Sequence, residues 1–317
     1  MLESMLRRQS RKVIGTPPSP RMWTANATDG RYLYLAGGYT KELVLNKELF
    51  IYDCVTNTWT QEADMPEAMC RAGGAIANNT LITVGGAVSA GATAHNRCYG
   101  FDLSTRLWST KAVAPVSLFD IGVATSSSGL VFALGGHNGT GASAQYSRYD
   151  ATANTWTSLA NASFNIHGHQ LLANTNNTIF VQQGRISSVV SRAGYSSSAS
   201  AAWVANAFVN SPATARFGYC VANDHANMGY LFGGTTNTGY GTALDDFYQV
   251  NMNTGRFEVI TPVGLKPPAR HSAAMFYAEG FVYLFGGHAA GAAADTNGYL
   301  GDFWRYSPSA NVWSQLS

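Results

Sequence analysis

The feature that most restricts how this chain can fold is an apolar run stopped by two glycines, repeated along its length. It reads F-V-Y-L-F-G-G at Phe281 to Gly287, Y-L-Y-L-A-G-G at Tyr32 to Gly38 and L-I-T-V-G-G at Leu81 to Gly86. It returns as L-V-F-A-L-G-G at Leu130 to Gly136 and Y-L-F-G-G at Tyr230 to Gly234, while a blurred copy, T-I-F-V-Q-Q-G at Thr178 to Gly184, takes the fourth place. The copies lie roughly 50 residues apart, a period that marks stacked repeats rather than two ordinary domains. Each run is apolar at nearly every position, so both faces of the strand must be covered. The glycine pair supplies positive φ or a close backbone approach where the strand ends.

What surrounds each run repeats as well. Prolines at Pro18 to Pro20, Pro66, Pro115, Pro212 and Pro267-Pro268 open the units, since a residue without an N–H belongs in a link rather than a ladder. A first strand of small residues follows, as in R-A-G-G-A-I-A from Arg71 or R-H-S-A-A-M-F from Arg270, suited to the crowded centre of a radial array. Turn signals such as Asp29-Gly30 and Glu279-Gly280 then lead into the apolar second strand. Further on, an aromatic or apolar residue precedes another by seven: Tyr52 and Trp59, Phe101 and Trp108, Tyr149 and Trp156, Val250 and Phe257, Tyr306 and Trp313. Asn57, Arg106, Asn154, Gly255 and Asn311 lie two residues before the second member, which predicts a tight hairpin between a third and a fourth strand. Trp59, Trp108, Trp156, Trp203 and Trp313 are therefore expected to be buried between units.

An unbroken repeat makes one domain over 18–317, preceded by a basic, flexible tail over 1–17. The units fall at about 18–65, 66–114, 115–161, 162–211, 212–266 and 267–317. Such a length buries roughly three quarters of its unfolded surface, so the core needs neither disulfide nor metal. The four cysteines lack paired or zinc-like spacing, which favours reduced thiols and a cytoplasmic location. A net charge of +2 with 12% charged residues is too little for a nucleic-acid surface, and no apolar run reaches the ~20 residues of a membrane span.

Paired glycines closing an apolar strand, an aromatic and then a tryptophan seven on, with this period, resemble the kelch repeat. The resemblance spans Pro18 to the C-terminus and implies an all-β fold, a six-bladed β-propeller of four-stranded antiparallel blades. The fourth copy departs, with Gln182-Gln183 in place of Gly-Gly and its third-strand aromatic displaced to Tyr195. With no strand left after Trp313 to complete the first blade, the ring is expected to close by packing of the last blade on the first.

In such a fold the residues that begin each first strand converge on one mouth of the central channel. They are Arg21, Arg71, Asp120, the pair Ile166-His167, Arg216 and Arg270. Kelch domains of the ubiquitin-ligase adaptor type hold acidic motifs with an arginine in an R-x-G context, and Arg71 and Arg216 match that pattern. Converging guanidiniums favour a carboxylate, which the planar fork bonds twice. The same arginines are also placed to brace blade-end carbonyls or the carboxylates of Asp120 and Asp246. His137 and His288 follow their Gly-Gly pairs and begin loops on the same face, and the long loops after Thr235 and His288 form its edge.

Function divides into two classes. The first is a monomeric, non-catalytic scaffold that binds a protein partner through an acidic peptide segment, with no nucleic acid, membrane, cofactor or metal involved. The second is an enzyme similar to the six-bladed sialic acid mutarotases, in which arginines hold a sugar carboxylate while an acid/base pair assists ring opening. Glutamates are scarce on the proposed face, and no nucleophile elbow, phosphate loop or dinucleotide fingerprint occurs, which favours the first.

Overall fold

Strand pairing follows the repeat. The computed structural model describes residues 11–89, 93–186, 189–191, 194–198, 203–206, 208–224, 226–236, 241–289 and 296–317. Among them are five four-stranded antiparallel sheets, one five-stranded sheet and two short two-stranded pairs. The fold is an all-β propeller with four-stranded antiparallel blades. Its innermost strands are Ala25–Thr28, Gly73–Ala77, Gly122–Thr125, Leu171–Ala173, Cys220–Asn223 and Ala274–Ala278. Each packs against the next in chain order, and Ala274–Ala278 packs against Ala25–Thr28, so the ring closes between the last sheet and the first.

The seven-residue spacing is the register of the outer hairpins. Tyr52 lies directly opposite Trp59, Phe101 opposite Trp108, Tyr149 opposite Trp156, Val250 opposite Phe257 and Tyr306 opposite Trp313. The intervening Asn57, Arg106, Asn154, Gly255 and Asn311 all have left-handed backbones, with φ between 53° and 66°. In three hairpins the tyrosine hydroxyl donates to the turn asparagine, Tyr52 to Asn57, Tyr149 to Asn154 and Tyr306 to Asn311, at 2.7 to 2.9 Å. Burial of the tryptophans is uneven. Trp59, Trp203 and Trp313 are buried, whereas Trp108 and Trp156 are half-buried and anchor the preceding sheet through indole N–H bonds to the carbonyls of Ala63 and Ala112.

The Gly-Gly pairs are needed where blades meet. A Cβ on Gly286 would lie 2.5 Å from the carbonyl oxygen of Arg21, and one on Gly233 would lie 2.4 Å from that of Arg270. Both residues also have left-handed φ, so a side chain is excluded twice over. The second glycine donates its N–H to that same carbonyl of the next sheet, Gly234 to Arg270 and Gly287 to Arg21, both at 2.9 Å.

The fourth blade solves the junction differently. Neither Gln182 nor Gln183 adopts positive φ, so the chain runs on into a hairpin, Gly184–Ile186 with Val189–Ser191. The junction is closed by Tyr219 from the fifth sheet, whose hydroxyl donates to the Gln183 carbonyl at 2.8 Å. Of the segment 1–17 expected to be a flexible tail, residues 1–10 lie outside the described residues. Lys12–Ile14 pairs with Thr58–Gln61 as a fifth strand, because an outer edge leaves ladder groups open and Ile14 packs on the Trp59 cluster. Residues 237–240 and 290–295 of the two long loops lie outside the described residues.

Candidate binding site at the channel mouth

A closed circle of backbone hydrogen bonds rims the channel. Trp23 N–H donates to the Ser272 carbonyl at 3.1 Å, Arg71 to Trp23 at 2.8 Å and Asp120 to Arg71 at 2.9 Å. Gly168 donates to Asp120 at 3.1 Å, Gly218 to Gly168 at 2.7 Å and Ser272 to Gly218 at 2.6 Å, returning to the start. All six residues have φ between 51° and 63°. Four of them, Trp23, Arg71, Asp120 and Ser272, are not glycine, and each bears a cost of roughly 1 to 2 kcal/mol for the left-handed backbone. Strain of this kind concentrates at functional sites.

The circle separates the predicted arginines into two sets. Arg71 belongs to the rim, but Arg21, Arg216 and Arg270 lie two residues before the rim positions Trp23, Gly218 and Ser272. The R-A-G at Arg71 and the R-F-G at Arg216 are thus out of step by two residues. Arg21, Arg216 and Arg270 are 2%, 0% and 0% exposed and make one brace three times over. The Nη1 of each donates to the carbonyl of the first glycine of a pair, Gly37, Gly233 and Gly286 respectively, at 3.0 to 3.2 Å. Each also grips the acidic residue that opens the third strand: Glu48, Asp246 or Asp302. Each guanidinium braces its own blade, tying the start of the unit to the glycine pair and to the third strand, and is buried. Burial pulls the Arg21 pKa down, against the pull of Glu48.

Of the four arginines expected at the mouth, Arg71 is the one that lies on the rim. Its guanidinium is sandwiched between Trp23 and Phe119, 4.6 and 4.5 Å from the ring centroids, and bonds Asp120 through Nε at 2.8 Å and Nη2 at 2.6 Å. The Arg71 side chain is 13% exposed and that of Asp120 10%. Burial resists the Asp120 charge, but Arg71 and His167 outweigh it and hold the carboxyl at about 2.

His167 Nδ1 stands 3.6 Å from Asp120, and the His137 ring packs edge-on to that of His167 at 4.9 Å and against Phe119 at 5.1 Å. Burial lowers the His137 pKa, helped by His167, Arg71 and Arg185 and opposed by Asp120. His288 is fully buried, bridged to His271 and packed on Tyr299, so it supports the rim from beneath. The mouth thus gathers Arg71, Asp120, His137 and His167, while Arg21, Arg216, Arg270 and His288 form the frame.

Trp23, Phe119 and Arg185 are mouth residues that the sequence reading passed over. Arg185 pairs with His167 in the backbone at the position that His137 holds beside Phe119, and its guanidinium lies 5.7 Å from the Phe217 ring. The signal was hidden because the fourth copy has no Gly-Gly to mark the residue that follows it. Beneath the rim the channel narrows to a neck of about 60 Å³ and opens at the far side into about 390 Å³ between the inner strands. Among the described residues no group of three metal-binding side chains converges, and no helix is long and apolar enough to cross a membrane.

A strained, hydrogen-bonded rim around a channel of four-stranded blades defines a β-propeller with a rimmed channel mouth. The Kelch motif matches residues 24–66 and 269–317, within the first and last sheets. The matched motif and the kelch-named relatives that follow support a kelch-repeat family for this chain.

It is 29% identical over 148 residues to Kelch-like protein terF of Aspergillus terreus (strain NIH 2624 / FGSC A1156), covering 43% of this chain and 32% of that one. It is 47% identical over 66 residues to the Rab9 effector protein with kelch motifs of Xenopus laevis, 19% of this chain and 18% of that one. Kelch domain-containing protein 2 of Bos taurus is 24% identical over 321 residues, 95% of this chain and 70% of that one. The chain therefore spans less than a third of terF and under a fifth of the Rab9 effector in these matches. The solved structure of YjhT superposes with a TM-score of 0.75 at 14% identity, over 96% of this chain and 99% of that one, a likeness of fold.

Proposed function

We propose that this chain is a six-bladed, non-catalytic interaction module whose mouth takes an acidic segment of a protein partner. The six-blade reading takes the five-stranded sheet as the first blade with Lys12–Ile14 added outside it, and the circular packing of the inner strands supports it. The observation that carries the functional reading is Arg71, fixed at the rim between the Trp23 and Phe119 rings and paired with Asp120. The arc gathers the guanidiniums of Arg71 and Arg185 with the Asp120 carboxylate and the His137 and His167 rings. A carboxylate entering there meets fixed donors in a partly dry setting, where charge-assisted bonds are strong. The relative described as a Rab9 effector supports a protein as the partner class.

The test is a pull-down from the native source with wild type and an Arg71→Ala/Arg185→Ala double variant, read by mass spectrometry. A partner recovered by wild type alone supports the reading. Identical partners for both forms would move recognition away from the mouth. If the purified protein instead speeds anomer exchange of an acidic sugar, followed by NMR, the mutarotase-like alternative replaces this one.

A further inference from the structure

The exposed turn that follows His137 is Asn138-Gly139-Thr140, and its polar groups converge on the Asn138 side chain and the Gly139 N–H. The Gly139 N–H donates to His137 Nδ1 at 3.0 Å. The Asn138 side-chain oxygen accepts three bonds, from Thr140 N–H at 2.9 Å, the Thr140 hydroxyl at 2.9 Å and Gly141 N–H at 2.8 Å. Gly139 has no side chain to shield its nitrogen, and Asn138, Gly139 and Thr140 are all exposed to water.

We infer that Asn138 is a site of self-catalysed deamidation, with His137 as the base and Thr140 and Gly141 as the oxyanion donors. His137 Nδ1 takes the proton from the Gly139 amide, and that nitrogen bonds to Asn138 Cγ. The negative charge that develops on Asn138 Oδ1 falls where three donors already point, the arrangement that stabilises tetrahedral intermediates of acyl transfer. Collapse breaks the Cγ–Nδ2 bond, and Nδ2 leaves as ammonia after regaining the proton from His137. The resulting five-membered imide is opened by solvent water at either carbonyl, giving aspartate or isoaspartate. The balance is one water consumed and one ammonia released, with no change of oxidation state.

Two features favour this site. The base must be neutral to accept a proton, and burial with the neighbouring His167, Arg71 and Arg185 charges keeps His137 so, against the pull of Asp120. The product carboxylate would stand next to His137 on the mouth face, so the reaction converts a neutral rim position into an anionic one. Asn297-Gly298, in the 3-10 turn Thr296–Gly298, has the same dipeptide on a different backbone and serves as an internal reference.

The experiment is incubation of the full chain at neutral pH and body temperature, with samples digested and analysed by mass spectrometry for the amide-to-carboxylate gain and for isoaspartate. Asn138 is expected to convert faster than Asn297. His137→Gln keeps an acceptor for Gly139 but not a base, and should slow conversion by roughly 10- to 100-fold, up to the low end of what a positioned base supplies. Thr140→Val, which deletes one oxyanion donor and leaves His137 in place, should slow it as well. The wild-type rate should level off above the His137 pKa, whereas the Gln variant should show only the rise with hydroxide. Equal rates at Asn138 and Asn297, or a His137→Gln variant as fast as wild type, would overturn the assignment.

Discussion

Arg71 and Asp120, from adjacent blades, are joined twice over. The Asp120 N–H donates to the Arg71 carbonyl at 2.9 Å, and the Arg71 guanidinium bonds both Asp120 carboxylate oxygens, at 2.8 and 2.6 Å. The backbone bond is one link of the rim circle, so the charged pair is fixed at the mouth by the same device that closes the channel.

Rim amides should therefore behave as a unit. Hydrogen exchange followed by NMR is expected to show Trp23, Arg71, Asp120, Gly168, Gly218 and Ser272 among the most protected amides, opening together, because breaking one bond loosens the circle. Independent, fast exchange at these positions would contradict a closed circle.

The buried braces make a stability prediction that Arg71 does not share in the same form. Arg270→Ala removes a fully buried guanidinium and leaves Asp302, whose side chain is 16% exposed, with its main charge partner gone. A loss of about 3 to 5 kcal/mol is expected by chemical denaturation, as for other broken buried pairs. A loss below about 1 kcal/mol, the range of exposed pairs, would remove Arg270 from the frame.

Among the tryptophans, the cost of truncation should follow burial. Trp59, 4% exposed, packs on Tyr52, Phe285 and Phe303. Trp59→Ala should cost about 3 to 5 kcal/mol, and Trp108→Ala less, since its ring is only partly buried. Urea unfolding of the two variants side by side checks the order, and a costlier Trp108→Ala would contradict it.

Acid should weaken the fold from a higher pH than the carboxylates alone require. Burial, aided by His167 and opposed by Asp120, holds the His169 pKa at about 3, and burial with His288 does the same at His271. An unfolded histidine binds its proton near ~6.5, so the stability kept by these neutral rings is complete above that pH and lost as pH falls toward 3. Asp120, held at about 2, adds a contribution present above ~4 that fades only below it. The urea midpoint should thus begin to fall below about pH 6.5, and His169→Gln should flatten the slope. An unchanged slope in that variant would mean that His169 is not the buried neutral group described.

Much of the fold was legible because its determinants are local and repeated. Tyr52 with Trp59, or Tyr306 with Trp313, encodes a hairpin in the spacing alone, and Gly233 or Gly286 marks a blade junction because no side chain fits there. The site was harder to read because it depends on register between blades. Arg71 and Arg216 look alike in text, yet a two-residue offset puts one on the rim and the other in the frame. The offset shows only once Gly218 and Arg71 prove to share a left-handed backbone. Arg185 was concealed by the glutamines that replace the glycine pair, and the strand at Lys12–Ile14 lacks any repeat to announce it.

The most direct test of the mouth as a recognition surface is a fluorescence-polarisation titration of the full chain against a labelled pool of Asp- and Glu-rich peptides and its Asn/Gln-matched counterpart. The account predicts tighter binding of the acidic pool, weakening as salt is raised, with Arg71→Ala costing about 2 kcal/mol or more and Arg185→Ala weakening it in the same direction. Equal binding of the two pools, or acidic binding indifferent to both substitutions, would contradict it.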